Sequence, residues 1–303
     1  MSQTFDVVII GGGPAGYTAA LYAARSGFTT AVVEKLSPGG QMATTSVDNY
    51  PGFPETIDGF DLGEKMQLGA ERFGAKTIFA TVDKVDLQGS PKVLTTSSGA
   101  IEAKVVIIAT GANPRHLGLP KEEKMSGKGI AYCATCDGRM FKDKVVAVNG
   151  GGNSAVEDAI YLAKICQKVY LIHRRDKLRA TPVYWDGLQK SGVEIVWNST
   201  VKSILGDSKV TGVELTNVQT GAASQLPLDG LFVAIGRKPE SSLFAGQLAM
   251  DKNGYIIAGE DGKTSLPGVF VAGDVRTKAF RQIITAASDG ANAVHSAEEV
   301  LMK

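Results

Sequence analysis

The sequence predicts an α/β protein made of two parallel-sheet units, and three observations carry that prediction. A strand–glycine turn–helix–strand pattern occurs twice, with its turns opening at Gly11 and Gly150. The leading strands, Val7-Val8-Ile9-Ile10 and Val145-Val146-Ala147-Val148, are unbroken apolar runs. Such runs mark strands buried on both faces of a parallel sheet. The chain of 303 residues is long enough for two domains, each with its own core.

The first unit begins at Val7-Val8-Ile9-Ile10 and turns through Gly11-Gly12-Gly13-Pro14-Ala15-Gly16, which fits G-x-G-x-x-G. An Ala-rich stretch from about Ala15 to Arg25 predicts a helix that stops before Gly27. A second strand, Thr30 to Val33, ends in Glu34, 23 residues after Gly11. Strand, turn, helix, strand and terminal acid together define a dinucleotide-binding βαβ unit. The glycines bring a pyrophosphate to the helix N-terminus, where free N–H groups favour an anion. Glu34 is placed to accept hydrogen bonds from a ribose diol. Three further segments lean toward FAD: Gly39-Gly40-Gln41, Ala109-Thr110-Gly111 after the apolar Val105–Ile108, and Val269-Phe270-Val271-Ala272-Gly273-Asp274. The last sets a carboxylate at a strand end, suited to a ribityl hydroxyl.

The second unit restarts at Val145 and turns through Gly150-Gly151-Gly152-Asn153-Ser154-Ala155, the G-x-G-x-x-A variant. A helix is expected from about Ser154 to Lys164, then a strand Val169-Tyr170-Leu171-Ile172. Counting 23 residues from Gly150 reaches His173, with Arg174, Arg175 and Arg179 beyond it. An acid at this position suits a free 2′-hydroxyl. A guanidinium cluster suits a 2′-phosphate, because Arg makes bidentate charge-assisted bonds to it. NADPH is therefore favoured over NADH. Asn149 is an unusual polar end to a strand, and the sequence supplies no role for it.

Between the two turns lies Cys133-Ala134-Thr135-Cys136, followed by Asp137. The Cys-x-x-Cys spacing is that of redox dithiols. Zinc needs about four ligands, whereas only Cys166 and the scattered His116, His173 and His295 remain. A dithiol carries two electrons, as a hydride does. Asp137 is a candidate proton donor or acceptor for the thiol chemistry, or else a solvated turn residue before Gly138. Cys166, among Leu162, Ala163 and Ile165, reads as a packed small hydrophobe.

Composition narrows the class. Net charge +1 and a pI near 7.6 give no polyanion footprint, so no nucleic-acid partner is expected. Glycine, 36 of 303 residues, is about 12% against a usual ~7%, much of it clustered at predicted strand ends. Three cysteines are too few for a secreted disulfide framework. No signal peptide is evident after Met1-Ser2-Gln3-Thr4-Phe5-Asp6, and no apolar run nears the ~18–20 residues of a membrane span. The expectation is a cytoplasmic protein with no membrane association.

Cys133-Ala-Thr-Cys-Asp-Gly138, Gly150-Gly-Gly-Asn-Ser-Ala155 and His173-Arg-Arg-Asp176 through Arg179-Ala180 resemble the bacterial low-molecular-weight NADPH-dependent thioredoxin reductases. So do Gly11 to Gly16, Gly39-Gly-Gln41, Gly273-Asp274 and Arg281-Gln282. The resemblance runs in order from about residue 5 to the end. It implies two doubly wound dinucleotide-binding domains, the NADPH domain inserted into the FAD domain. The expected boundaries are 1–115 and 246–303 for FAD, and 116–245 for NADPH and the cysteine pair. It implies electron flow from NADPH through FAD to a Cys133–Cys136 disulfide and on to thioredoxin. Cys136 would face the flavin, Cys133 would attack thioredoxin, and Asp137 would serve proton transfer. Arg281 and Gln282 would lie beside the flavin, and Asn49, Ile235 and Gly236 complete the candidate cofactor set. A homodimer is implied, as is a domain rotation about crossings near Gly111-Ala112-Asn113-Pro114 and Gly236-Arg237-Lys238-Pro239-Glu240. The alternatives are the flavoprotein partner of a peroxiredoxin, a ferredoxin or flavodoxin reductase, ferredoxin-driven thioredoxin reduction, and a non-catalytic redox sensor.

Overall fold

The computed structural model describes residues 3–44 and 46–302. The chain divides into two compact units: one takes in residues up to Asn113 and again from Lys238 onward, the other is Pro114–Arg237. In the first unit the parallel strands Gln3–Ile10, Thr30–Glu34 and Lys76–Phe79 extend from one side of Gly99–Ile108. That ten-residue strand has two halves. Its N-terminal half alternates in burial and pairs antiparallel with Lys92–Thr96. Its C-terminal half is wholly buried and carries the parallel strand Val269–Val271. The change from alternating to continuous burial follows the sequence, Gly-Ala-Ile-Glu-Ala-Lys and then Val-Val-Ile-Ile.

One face of this sheet is covered by helices. Pro14 occupies the first turn of the helix Pro14–Arg25, where its missing N–H is no loss. The helix buries Ala15, Ala19, Ala20 and Ala23 in the same core as Ala286, Ala293 and Ala297 of the C-terminal helix Ile283–Leu301. The opposite face is covered without helices of comparable length. Phe244, Leu248 and Ile256 pack there against Val8, Ile10 and Leu94.

That packing moves the second boundary. The return to the first unit comes at Lys238, not 246. Residues 238–245 belong to the first unit because Phe244 is fully buried in its core, and the Glu240 N–H bonds the Gly111 carbonyl. The neighbouring Gln247 side chain bonds backbone of Val85 and Leu87. The first boundary falls at Asn113 rather than 115.

The second unit has an all-parallel sheet in the order Ile130–Ala131, Gly230–Ala234, Val145–Gly150, Lys168–Ile172, Glu194–Val196. The helices Asn153–Leu162 and Trp185–Lys190 cover one face, burying Val156, Ala159, Leu162 and Leu188. An antiparallel meander, Ser199–Leu205, Gly212–Asn217 and Ala223–Pro227, covers the other through Ile204, Val213 and Leu215. No helix among the described residues is long and apolar enough to cross a membrane.

Candidate functional site

In the first unit the carboxyl ends of four strands converge. Gly11 N–H bonds Val33 O, Ala109 N–H bonds Ile10 O, and Ala272 N–H bonds Ile108 O. Ligands of open α/β sheets bind at such an edge. The glycines have distinct duties there. Gly11 has φ +104°, and a Cβ on it would lie 2.5 Å from Ala109 O. A Cβ on Gly16 would lie 1.9 Å from Gly11 O, so this residue brings helix and strand together. At Gly13 the nearest atom to a Cβ would be Gly39 O at 4.0 Å. The turn is thus closed on its protein side and open in front of Gly13 and the helix start at Pro14 and Ala15, where a pyrophosphate fits. One Glu34 oxygen accepts the Gly12 N–H at 2.6 Å and the other accepts the Leu36 N–H at 3.0 Å. Two of about four lone-pair sites are used, which leaves acceptor capacity for a diol.

Around this turn lie the other sequence candidates. Gly39 N–H bonds Gly12 O, and Gly40, at φ +57°, sits against Gly13. The Gln41 amide donates to Asn113, whose own amide donates to Glu240, while Thr110 Oγ1 donates to the Glu240 carbonyl. Gly111 follows at φ +75°. Asn49 donates to Gln282 at 2.9 Å, and Gln282 caps the C-terminal helix. Gly273 takes φ +79° before the half-buried Asp274. The Arg281 guanidinium donates to the carbonyls of Asp274 and Arg276 and stacks 4.3 Å from the centre of the Tyr255 ring. One residue below this loop escaped sequence reasoning. Asp289 is 5% exposed and accepts the Gly273 N–H, the Arg276 guanidinium and the Lys278 ammonium. Burial opposes its charge, but the bonds from Arg276 and Lys278 prevail and hold its carboxyl below the ordinary value.

The second glycine turn repeats the logic. A Cβ on Gly150 would meet both Ala155 Cβ and Ala234 O at 2.5 Å, whereas Gly152 has nothing within 4 Å. Exposed Asn153 and Ser154 begin the following helix, and Asn153 Oδ1 accepts the Thr181 N–H. Half-buried Ile235 and the exposed Gly236, at φ +110°, continue from the neighbouring strand end. Arg174, Arg175 and Arg179 are exposed, as a phosphate clamp requires. His173 is different. It is 5% exposed, with Nδ1 2.8 Å from Gly150 O and Nε2 3.1 Å from Lys177 O. Its ring fills the space a Gly151 side chain would need, since a Cβ there would lie 2.2 Å from it. His173 therefore shapes the turn from beneath, and the three arginines supply the open charge. Asn149 is half-buried at its strand end, so its amide is not sealed in the core.

Cys133 and Cys136 form a disulfide, S–S 2.07 Å. Cys133 caps the short helix Ala134–Asp137, its sulfur accepting the Cys136 N–H at 3.2 Å. Both cysteines and Asp137 are half-buried, whereas Thr135 is exposed. The Asp137 N–H bonds the Cys133 carbonyl, holding the carboxyl-bearing residue to the motif. Gly138 packs closely, because a Cβ there would lie 3.1 Å from the side chains of Tyr161 and Leu162, which would have to give by a few tenths of an ångström. On the same fingerprint helix the Asp158 carboxyl is pushed up to about 7 by burial and by neighbouring Glu157. Cys166 packs against the helical-face core, and burial pushes its thiol up to about 11.

Two βαβ nucleotide folds and one bonded Cys-x-x-Cys define the class, a two-nucleotide disulfide oxidoreductase. The family model "Pyridine nucleotide-disulphide oxidoreductase" matches residues 5–290. A thioredoxin reductase of Listeria monocytogenes is 46% identical over 300 residues, covering 98% of this chain and 94% of the relative. One of Streptomyces coelicolor is 46% identical over 306 residues, covering 99% and 95%. The crystal structure of thioredoxin reductase from Streptococcus pyogenes aligns with a TM-score of 0.90 at 43% identity, covering 100% of this chain and 99% of that one. The chain belongs to the pyridine nucleotide-disulphide oxidoreductase family.

Proposed function

We propose that this protein is an NADPH-dependent, FAD-containing thioredoxin reductase. The observation that carries the reading is the bonded Cys133–Cys136 pair, on the unit that also bears the Arg174–Arg175–Arg179 cluster. Bound FAD would supply two-electron transfer between NADPH and the Cys133–Cys136 disulfide. Gly11, Gly13, Pro14, Ala15 and Gly16 would hold its pyrophosphate and Glu34 its ribose. Gly40, Gln41, Asn49, Ala109, Thr110, Gly111, Gly273, Asp274, Arg281 and Gln282 would line the rest of the first site. Gly152, Asn153, Ser154, Ile235 and Gly236 would meet NADPH, its 2′-phosphate lying on the arginines.

Reduction of the pair leaves two thiols. The Cys133 thiolate then attacks one sulfur of oxidised thioredoxin, forming a mixed disulfide and releasing one thioredoxin thiolate. Cys136 attacks Cys133 Sγ, re-forms the internal disulfide and releases the second thiolate, so two electrons and two protons leave together. Asp137, next in sequence to Cys136, would hold or pass a proton. The reading extends to a cytoplasmic homodimer, which sedimentation of the purified protein tests.

Anaerobic mixing of the yellow protein with NADPH, then with oxidised thioredoxin, tests the function. Bleaching by NADPH followed by recovery of the flavin band on adding thioredoxin is expected. Equal bleaching by NADH would remove the 2′-phosphate reading, and no recovery with thioredoxin would overturn the substrate. Cys133→Ser and Cys136→Ser should each abolish thioredoxin turnover while NADPH still bleaches the flavin.

A further inference from the structure

Glu122 is a buried carboxylate that none of the sites above uses. It is 3% exposed and lies in the turn that follows the first crossing. Its oxygens accept the backbone N–H groups of Leu117, Gly118 and Leu119 at 2.9, 2.8 and 3.3 Å. Oε1 also accepts the Tyr132 hydroxyl at 3.0 Å. Tyr132 directly precedes Cys133, and its phenol oxygen lies 2.8 Å from His116 Nδ1. The rings of Tyr132 and His116 meet edge-on with centroids 5.0 Å apart.

Donor and acceptor chemistry orders these contacts. A carboxylate only accepts, so the single phenol proton points at Glu122, and the phenol oxygen accepts from His116 Nδ1–H. Burial, reinforced by Glu122, raises the Tyr132 phenol far above its ordinary value, so this proton stays in place. The residue before His116, Arg115, donates its backbone N–H to Gly236 O at 3.0 Å, at the second crossing. One end of the cluster is therefore fixed to the crossing segment, and the other ends one residue from the redox cysteine. The grip is independent of the helix-face packing. Tyr132 packs on the meander side of the sheet, whereas Ala131 and Ala134 pack on the helical side.

We infer that Glu122, acting through Tyr132, is a positioning residue for the disulfide, locking the strand end that delivers Cys133 to the crossing segment 115–119. The pair and its crossing then move as one body, and Cys133 meets its reaction partners in one orientation.

Tyr132→Phe removes a single hydroxyl and leaves Glu122 its three backbone donors, so it tests the tie with the fold kept. Glu122→Gln is the harsher companion, because it sets an amide N–H2 against backbone donors. The flavin-loaded enzyme is reduced with dithiothreitol, desalted and treated with iodoacetamide, and the label at Cys133 is timed by peptide mass spectrometry with Cys166 as the internal control. In Tyr132→Phe the Cys133 rate should change about 3-fold or more and thioredoxin turnover should fall about 3- to 10-fold, the scale of a small misplacement of a reacting atom. Cys166 labelling, the unfolding midpoint and flavin bleaching by NADPH should stay as in the parent. Unchanged Cys133 labelling in folded Tyr132→Phe overturns the proposal. So does a parallel loss of flavin bleaching, which marks general loosening. If Glu122→Gln does not fold, Tyr132→Phe decides alone. The turnover arm rests on the thioredoxin-reductase reading, whereas the alkylation arm needs no substrate, so failure of one is distinguishable from failure of the other.

Discussion

His173 and Glu34 occupy equivalent positions at the ends of their strands, and each lies against the matching glycine of its turn, Gly151 and Gly12, yet they differ in what they offer a ligand. Glu34 has acceptor capacity left for a ligand, while His173 is turned inward against Gly150 O and the face of Gly151. Gly151→Ala should therefore expel the His173 ring, with a cost of about 1–3 kcal/mol for overpacking and a matching loss of dinucleotide affinity, read by titration calorimetry. Arg174→Ala with Arg175→Ala should raise the KM for NADPH about tenfold or more, the worth of hydrogen bonds to a charged group, with kcat and the KM for NADH little changed. Asp158 supplies a pH prediction. Its carboxyl is raised in the fold to about 7. The protonated form is favoured there, so stability falls as pH rises from the ordinary carboxylate range through about 7. Asp158→Asn should be more stable than the parent at pH 8 by on the order of 1–2 kcal/mol and no more stable at pH 4, as denaturant titrations at the two values would show.

At the scale of elements, the two Ala-rich helices of the first unit owe their close approach to Gly290. A Cβ there would lie 2.2 Å from Ala15 O, on the fingerprint helix itself. Gly290→Ala should force the C-terminal helix outward, destabilise the unit by about 1–3 kcal/mol and weaken flavin retention, because Ala15 opens the pyrophosphate helix. The loop between Gly273 and Gln282 depends on Asp289 in the same way. Asp289→Ala leaves Arg276 and Lys278 buried without their carboxylate, a loss of about 3–5 kcal/mol for a broken buried pair. Its carboxyl is held below the ordinary value, so its contribution is present above that range and is lost as pH falls through it. Thermal unfolding of the parent should lose this increment on acidification, whereas Asp289→Asn should lack it at every pH. The glycine turns and the Cys-x-x-Cys were legible because each is encoded by adjacent residues whose backbone geometry is local. Asp289 with Arg276 and Lys278, or Glu122 with Tyr132 and His116, carry no such local pattern. They meet only when separate segments pack.

For the whole molecule, two chain crossings join the units, at Asn113–Pro114 and Arg237–Lys238. If the inserted unit turns between half-reactions, a covalent cross-link between the units should abolish thioredoxin turnover while one half-reaction persists. Full turnover in the cross-linked enzyme would exclude the rotation. The sequence by itself determined the two βαβ frames with their glycine turns, the acid and the arginines at their strand ends, and the dithiol between them. These features follow from φ, side-chain volume and charge at neighbouring positions. Only the tertiary structure decided that residues 238–245 return to the first core, that His173 faces inward, and that the buried carboxylates of Asp289 and Glu122 gather their hydrogen-bond donors from separate segments. Those outcomes depend on which distant surfaces exclude water together, and a buried charge finds its partners only after that packing is complete.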